Sequence, residues 1–294
     1  MIKGIIPALV TPFRKDGTIN YEEAKKLFDY TMEGGVHGLF IMGTNGEFYA
    51  IDPDEAVSYT RFVTDYIGSK LPVFVGLGAN NTEMAIKQGI RLKDAGAEYF
   101  TVITPYFQAL TDNELVQYYS DIADALKTPI LVYNIPARTN INVSADVVRC
   151  LVDNPYIIRI KDSSGNMDNL KSYLDASEGK DFDVLCGSDS KILTALKMGA
   201  KGAVASTSNL IPKVIVGIYE NYINGDFEKA QECQEKLECL RLTMKLAGTP
   251  AVLKKSLQLI GIDVGEPAKP VMPADYPELI EKIREMLKYY DFEI

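Results

Sequence analysis

One stretch of the sequence, residues 156–165, joins an apolar run to residues that could do chemistry. Residues 156–160 are mostly apolar and β-branched, which predicts a buried strand. The polar run Lys161-Asp162-Ser163-Ser164-Gly165 then predicts a strand that leaves the core for a loop. Burial disfavours the charged form of a lysine, and a neutral lysine amine can form a Schiff base with a carbonyl substrate. Lys161 is therefore a candidate nucleophile, although the stretch alone more commonly marks a lysine whose buried stem carries its charge to solvent.

The rest of the chain alternates short apolar segments with segments that carry helix-start and helix-stop signals. The predicted strands cover residues 4–13, 38–42, 72–76, 99–103, 129–133, 156–161, 182–186 and 202–206. Strands that alternate with capped helices indicate a parallel sheet with helical crossovers, and eight such units are the number that closes a (β/α)8 TIM barrel. The alternative is an open doubly wound sheet, but no G-x-G-x-x-G motif follows the first strand.

After residue 225 the pattern predicts helices alone, over residues 226–246, 249–260 and 277–290. We therefore expect two parts. Residues 1–225 form the barrel with the active site, and residues 226–294 form a C-terminal helical extension packed on the barrel.

Composition narrows the function. A net charge of −9 argues against nucleic acid and anionic membrane surfaces as partners, and no apolar run approaches the about 18 residues that span a bilayer. The four cysteines form no C-x-x-C pair, and residues 1–4 lack the layout of a signal peptide, so we expect a cytoplasmic protein. His37 is the single histidine, which disfavours a catalytic metal site.

Barrel enzymes build their active sites from loops at the carboxyl ends of the strands. Tyr133 ends the predicted strand that comes before the strand of Lys161. The two residues occupy equivalent positions on neighbouring strands, so the Tyr133 phenol could face the amine. The Gly43-Thr44-Asn45-Gly46 segment offers a hydroxyl and backbone amides that suit a carboxylate. The alternatives are a core aromatic residue and a simple tight turn.

Three motifs together resemble one family. The motifs, in their order and spacing, are Gly43-Thr44-Asn45-Gly46-Glu47, Tyr133-Asn134-Ile135-Pro136 and Ile160-Lys161-Asp162-Ser163-Ser164-Gly165. The chain resembles, over essentially its whole length, the Schiff-base pyruvate-dependent aldolases represented by dihydrodipicolinate synthase and N-acetylneuraminate lyase.

The resemblance implies a mechanism. Lys161 would form an imine with pyruvate or another 2-oxo acid, Tyr133 would shuttle protons, and Thr44 would help to relay them. Substrate would be bound at Asn45, Gly46, Arg138 and Ala203. The resemblance implies a small-molecule substrate, no metal and no cofactor beyond the imine, and a homotetramer built as a dimer of dimers.

The motifs are less specific for the member of the family. The synthases usually carry a threonine at the position of Asn45 and a tyrosine at Phe107. That tyrosine completes a proton relay in the neighbouring subunit, and Tyr106 could pack at the same interface or substitute for it. Arg138 favours the synthases, in which this arginine receives the carboxylate of the second substrate.

Weighing these features, we expect aldol cleavage of a 2-keto-3-deoxy sugar acid to pyruvate and an aldehyde. The alternative is 4-hydroxy-tetrahydrodipicolinate synthesis from pyruvate and aspartate semialdehyde, and a dehydratase comes third. A further class, a non-catalytic regulator that binds a 2-oxo acid, is disfavoured because binding alone would not need Lys161, Tyr133 and Thr44 together.

Overall fold

The computed structural model describes residues 3–294. The predicted absence of a signal peptide concerns residues 1–4, and the first two of these lie outside the described range. Within it, parallel strands alternate with helices. The strands are β1 (Gly4–Pro7), β2 (Leu39–Ile41), β3 (Val73–Leu77), β4 (Tyr99–Ile103), β5 (Ile130–Asn134), β6 (Ile157–Asp162), β7 (Asp183–Cys186) and β8 (Gly202–Ala205).

The sheet closes into a barrel. Its strand order runs from β1 through β8 and back down to β2, so β1 and β2 form the two ends. A parallel bridge between Ala8 and Phe40 joins those ends, and the Leu9 amide donates to the Phe40 carbonyl at 2.9 Å. The predicted (β/α)8 TIM barrel is confirmed.

The side chains of the strands divide into two buried layers. Alternate positions point into the barrel because successive strand residues face opposite sides of a sheet. The inner layer consists of Ile6, Ala8, Phe40, Phe74, Leu131, Leu185 and Val204, with Tyr99 packed against it. The intervening positions, such as Ile5 and Val132, join the larger layer between strands and helices. This alternation decides which residues can face the barrel mouth.

The helices surround the barrel and continue beyond it. They are α1 (Tyr21–Glu33), α2 (Pro53–Ile67), α3 (Thr82–Asp94), α4 (Asp112–Leu126), α5 (Pro136–Thr139), α6 (Ala145–Leu151), α7 (Met167–Ala176), α8 (Ile192–Met198), α9 (Pro212–Ile223), α10 (Phe227–Lys236), α11 (Glu238–Met244), α12 (Ala251–Leu259) and α13 (Pro277–Tyr289). Asp52, Asn81, Thr111 and Ser144 cap helices through their side chains, as their positions predict.

Two predicted elements differ from the structure. The first strand ends at Pro7 instead of Phe13, because the following backbone bonds to other parts of the chain: the Val10 amide donates to the Asn209 side chain and the Phe13 amide to the Val264 carbonyl. The predicted helix over residues 226–246 is divided at Leu237 into α10 and α11.

One of the C-terminal helices, α10, contacts the barrel helices directly. α10 packs against α9 and α8, while α11 contacts α12 and α13. The division of the chain at residue 225 stays a prediction. No helix within residues 3–294 is long and apolar enough to cross a membrane.

Candidate active site

Lys161 lies at the mouth of the barrel, near the end of β6. Lys161 is only 3% exposed to solvent. Its Nζ lies 4.0 Å from the centroid of the Tyr133 ring and 5.2 Å from that of Phe40. The sheet register explains this contact, because Tyr133 of β5 is the direct partner of Lys161. Two apolar ring faces therefore border the amine.

The neighbourhood of the amine contains a pair of hydroxyl groups. The Tyr133 hydroxyl lies 3.2 Å from the Thr44 hydroxyl, and either group can donate the hydrogen bond. Thr44 belongs to the turn that follows β2, residues 42–47, which we call the Thr44 turn. The two end residues of the turn, Met42 and Glu47, have φ angles of 53° and 54°. The Thr44 turn thus places a second hydroxyl next to the phenol.

These groups share one cavity of about 210 Å³. Its lining residues are Ala8, Thr44, Asn45, Tyr133, Ile135, Arg138, Lys161, Ser163, Gly187, Val204, Ser206 and Thr249. A glycine is required at position 187, because a Cβ there would lie 2.0 Å from the Ser163 hydroxyl and 2.9 Å from Cε of Lys161. The structure brings together five of the predicted site residues: Lys161, Tyr133, Thr44, Asn45 and Arg138.

Asn45 and Ser206 form a polar pair in the wall of this cavity. The Asn45 amide donates to the Ser206 hydroxyl at 2.8 Å. The neighbouring Asn209, by contrast, is buried and bonds to the backbone of Ala8 and Val10. Ser206 thus lies at the cavity, whereas Asn209 holds the backbone of the segment after β1.

A second, larger cavity of about 450 Å³ adjoins the first and shares Arg138, Ser206 and Thr249 with it. Arg241 and Lys245 of the C-terminal extension also line it. Asp189 lines this cavity as well, and its carboxylate accepts hydrogen bonds from the amides of Ser206 and Thr207 at 3.2 and 2.7 Å. These bonds lower the pKa of the carboxyl group, but burial has the larger effect and raises the pKa above its usual value. The outer cavity can hold the part of a substrate that extends beyond the inner one.

Four predicted site residues lie outside the inner cavity. The Ala203 side chain joins the layer between strands and helices, and the alternation of β8 makes Val204 the residue whose side chain reaches the cavity, so substrate binding at Ala203 stays a prediction. Gly46 belongs to the Thr44 turn but does not line the cavity, and its carbonyl accepts a hydrogen bond from the Thr11 hydroxyl at 2.6 Å. Tyr106 and Phe107 belong to the loop after β4, and Phe107 is 89% exposed.

Sequence reasoning missed Thr249. This residue lines both cavities but precedes α12, in the extension rather than at a strand end. No local signal in the sequence marks it. The sheet register and the closeness of the extension to the barrel mouth are needed to find it.

His37 has a structural role. Its Nδ1 accepts from the Ile5 amide at 3.1 Å, and its Nε2 lies 2.9 Å from a Glu220 oxygen. Across residues 3–294 no group of three or more His, Cys, Asp and Glu is placed to hold a metal ion.

The arrangement combines a buried amine, a pair of hydroxyls and cationic groups around the entrance. A buried amine next to groups that can accept and donate protons suits addition to a carbonyl carbon followed by proton transfer. An arginine at the rim suits a carboxylate of the reactant.

The chain is similar to known proteins of one family. The model of the family described as "Dihydrodipicolinate synthetase family" matches residues 1–289. A 4-hydroxy-tetrahydrodipicolinate synthase of Archaeoglobus fulgidus is 35% identical over 288 residues, which cover 98% of this chain and 98% of that protein.

Solved structures give the same result. Dihydrodipicolinate synthase of Thermotoga maritima has a TM-score of 0.94 at 30% identity, with 100% of both chains covered. YagE of E. coli K12, a protein of the dihydrodipicolinic acid synthase family in complex with pyruvate, has a TM-score of 0.94 at 29% identity, again with 100% of both chains covered.

Proposed function

The chain belongs to the dihydrodipicolinate synthetase family, whose enzymes are pyruvate-dependent class I aldolases, and we propose that it condenses pyruvate with aspartate semialdehyde as a 4-hydroxy-tetrahydrodipicolinate synthase. The observation that carries this proposal is the position of the Lys161 amine against the Tyr133 ring, with the Thr44 hydroxyl 3.2 Å from that of Tyr133. The relatives that are 30–35% identical are named synthases, so they support this reaction over sugar-acid cleavage, which the sequence placed first.

In the proposed reaction the Lys161 amine adds to C2 of pyruvate, and loss of water gives an imine. The imine draws electrons from the neighbouring methyl carbon, which loses a proton and becomes an enamine. The enamine carbon then attacks the aldehyde carbon, and the new oxygen takes up a proton. Tyr133 carries these protons and exchanges them through Thr44. No metal or organic cofactor is required in this scheme.

The anionic groups of the reactants have separate partners in the proposal. Backbone amides of the Thr44 turn hold the pyruvate carboxylate, close to Lys161. Arg138, which lines both cavities, receives the carboxylate of the semialdehyde. A guanidinium can bind a carboxylate through two parallel hydrogen bonds, which orients the aldehyde as well as attracting it.

A second candidate is aldol cleavage of a 2-keto-3-deoxy sugar acid. The Asn45–Ser206 pair favours it, because both side chains can bond to the hydroxyls of such a substrate. Phe107 also lacks the hydroxyl that the synthase relay uses. A dehydratase and a non-catalytic regulator are weaker alternatives.

The test is borohydride trapping with pyruvate, followed by peptide mapping and a panel of aldehydes and sugar acids. We expect a pyruvate-sized adduct on Lys161 and none on Lys254, which is equally buried but lies outside the cavity. Turnover of aspartate semialdehyde supports the synthase, whereas turnover of sugar acids alone supports the second candidate. An adduct without turnover across the panel would favour a regulator, and absence of an adduct would exclude the imine mechanism.

We also propose that the protein acts in the cytoplasm. The four cysteines are free thiols, which supports a reducing compartment.

A further inference from the structure

A buried ion pair connects the Thr44 turn to the C-terminal extension. The Lys254 ammonium lies 2.7 Å from Oε1 of Glu47, and the two side chains are 1% and 0% exposed. Lys254 belongs to α12, and Glu47 is the last residue of the turn. Removing two charges from water this completely is unfavourable unless each charge is compensated.

Both charges have further partners, and most belong to the extension. Oε2 of Glu47 accepts from the Ala268 amide at 2.7 Å, although these residues are 221 positions apart in the chain. Lys254 donates to the Glu266 carbonyl at 3.0 Å, and its Nζ lies 4.3 Å from the centroid of the Phe13 ring. The extension therefore holds the Glu47 carboxylate from two directions.

Glu47 in turn constrains the backbone of the Thr44 turn. Its φ of 54° is a left-handed conformation that is unfavourable for a residue with a side chain. Its amide donates to the Thr44 carbonyl at 3.2 Å, which closes the turn. The position of the Glu47 side chain and the conformation of the Thr44 backbone are thus connected within three residues.

We propose that the Lys254–Glu47 pair is a positioning device, through which the C-terminal extension sets the geometry of the Thr44 turn. It places the hydroxyl that contacts Tyr133 and the amides assigned to the pyruvate carboxylate. Neither residue is among the described residues that line the inner cavity, so both act through Thr44. This inference rests on the function proposed above for Thr44.

The test is a double variant, Glu47→Gln with Lys254→Met, which removes both charges together and leaves neither unpaired. We expect a folded protein in which pyruvate is still trapped on Lys161, because Lys161 lies on β6 and is not part of the Thr44 turn. We expect kcat to fall about 10- to 100-fold, since a displacement of about 1 Å can slow a reaction about 100-fold, and KM for pyruvate to rise.

The matched control is Lys255→Met. Lys255 neighbours Lys254 on the same helix, but it is partly exposed and its charge is paired with Asp275 rather than with Glu47. We expect its kcat and KM to equal those of the unmodified protein, so a loss of activity would be specific to the buried pair.

Wild-type kcat and KM in the double variant would overturn the inference and leave the pair with a purely structural role. If the double variant does not fold, Glu47→Asp keeps the charge but shortens its reach by one methylene. Here a lowered kcat with intact trapping supports the inference, and an unchanged kcat overturns it. Failure of trapping in the unmodified protein would contradict the proposed function instead.

Discussion

The Tyr133 side chain contacts both Lys161 and the Thr44 turn, because its ring borders the Lys161 amine and its hydroxyl lies 3.2 Å from that of Thr44. Tyr133→Phe removes this hydroxyl and retains the ring that borders Lys161. Because the imine can still form while proton transfer loses its carrier, we expect kcat to fall by about 100- to 10,000-fold. The measurement is steady-state kinetics together with borohydride trapping by pyruvate.

Tyr119→Phe is the control for this variant. The Tyr119 hydroxyl is also buried, but it donates to the Val102 carbonyl at 3.4 Å and lies away from the cavity. We expect unchanged kcat. A Tyr133→Phe variant that retains at least half of wild-type kcat would contradict the proposed proton transfer.

The four thiols should differ in reactivity toward iodoacetamide at pH 8. Burial raises the pKa of the Cys186 thiol to about 12, so its thiolate is scarce, and the side chain is also inaccessible. Burial raises the pKa of Cys233 and Cys239 as well, while Cys150 is exposed. We expect Cys150 to react first and Cys186 only on unfolding. Intact mass and peptide mapping follow the order, and early modification of Cys186 would contradict it.

At the residue scale, the sequence predicts site residues where position along a strand decides their direction. Lys161 and Tyr133 occupy paired positions at the ends of neighbouring strands, so their contact can be expected before the structure is known. The side chains of Ala203 and Val204 are harder to assign, because a one-residue difference moves a side chain from the cavity to the helical layer. Thr249 requires knowledge of how the extension packs.

Neighbouring strands also contain an ion pair inside the barrel. Arg159 of β6 and Asp183 of β7 are paired in register and buried, with Nε of Arg159 3.2 Å from Oδ2 of Asp183. Asp183→Asn leaves the Arg159 charge without its carboxylate in the apolar interior. We expect the free energy of unfolding to fall by about 3–5 kcal/mol, measured by urea denaturation.

Replacing both residues tests the cause. In Arg159→Met with Asp183→Leu no buried charge remains, and we expect stability equal to or above that of the unmodified protein. Nη1 of Arg159 has no hydrogen-bond partner within residues 3–294, so its removal also eliminates an unsatisfied donor. A double variant less stable than Asp183→Asn would show that packing, rather than charge, determines the effect.

At the scale of elements, most of the barrel follows from local signals. Capping residues such as Thr111 and Ser144 predict where helices begin, and apolar runs predict strands. Asn20 also precedes a helix, α1, although its side chain makes no capping hydrogen bond within the described residues. The end of β1 and the break at Leu237 depend on distant contacts. The Lys254–Glu47 pair, which also joins distant segments, likewise has no local signal.

At the scale of the whole molecule, a group of aromatic side chains is exposed near the barrel mouth. Tyr49, Tyr106 and Phe107 are all exposed, and the rings of Tyr49 and Tyr106 lie 5.8 and 6.1 Å from that of Phe48. Exposed apolar groups of this kind commonly mark protein–protein contacts. We propose that this aromatic group is the interface between two copies of the chain, within a homotetramer.

Phe107→Asp tests the proposed assembly. A carboxylate within an apolar interface would be buried without a partner, so association should weaken by several kcal/mol. Light scattering after size-exclusion chromatography should give the unmodified protein four times the chain mass of 32.6 kDa, and the variant a smaller mass. The control, Tyr289→Asp, changes an exposed aromatic residue of α13 and should leave the mass unchanged.

A single-chain mass for the unmodified protein would contradict the tetramer. A Phe107→Asp variant that is still a tetramer would show that the interface does not include Phe107, because the introduced carboxylate would then remain exposed and hydrated.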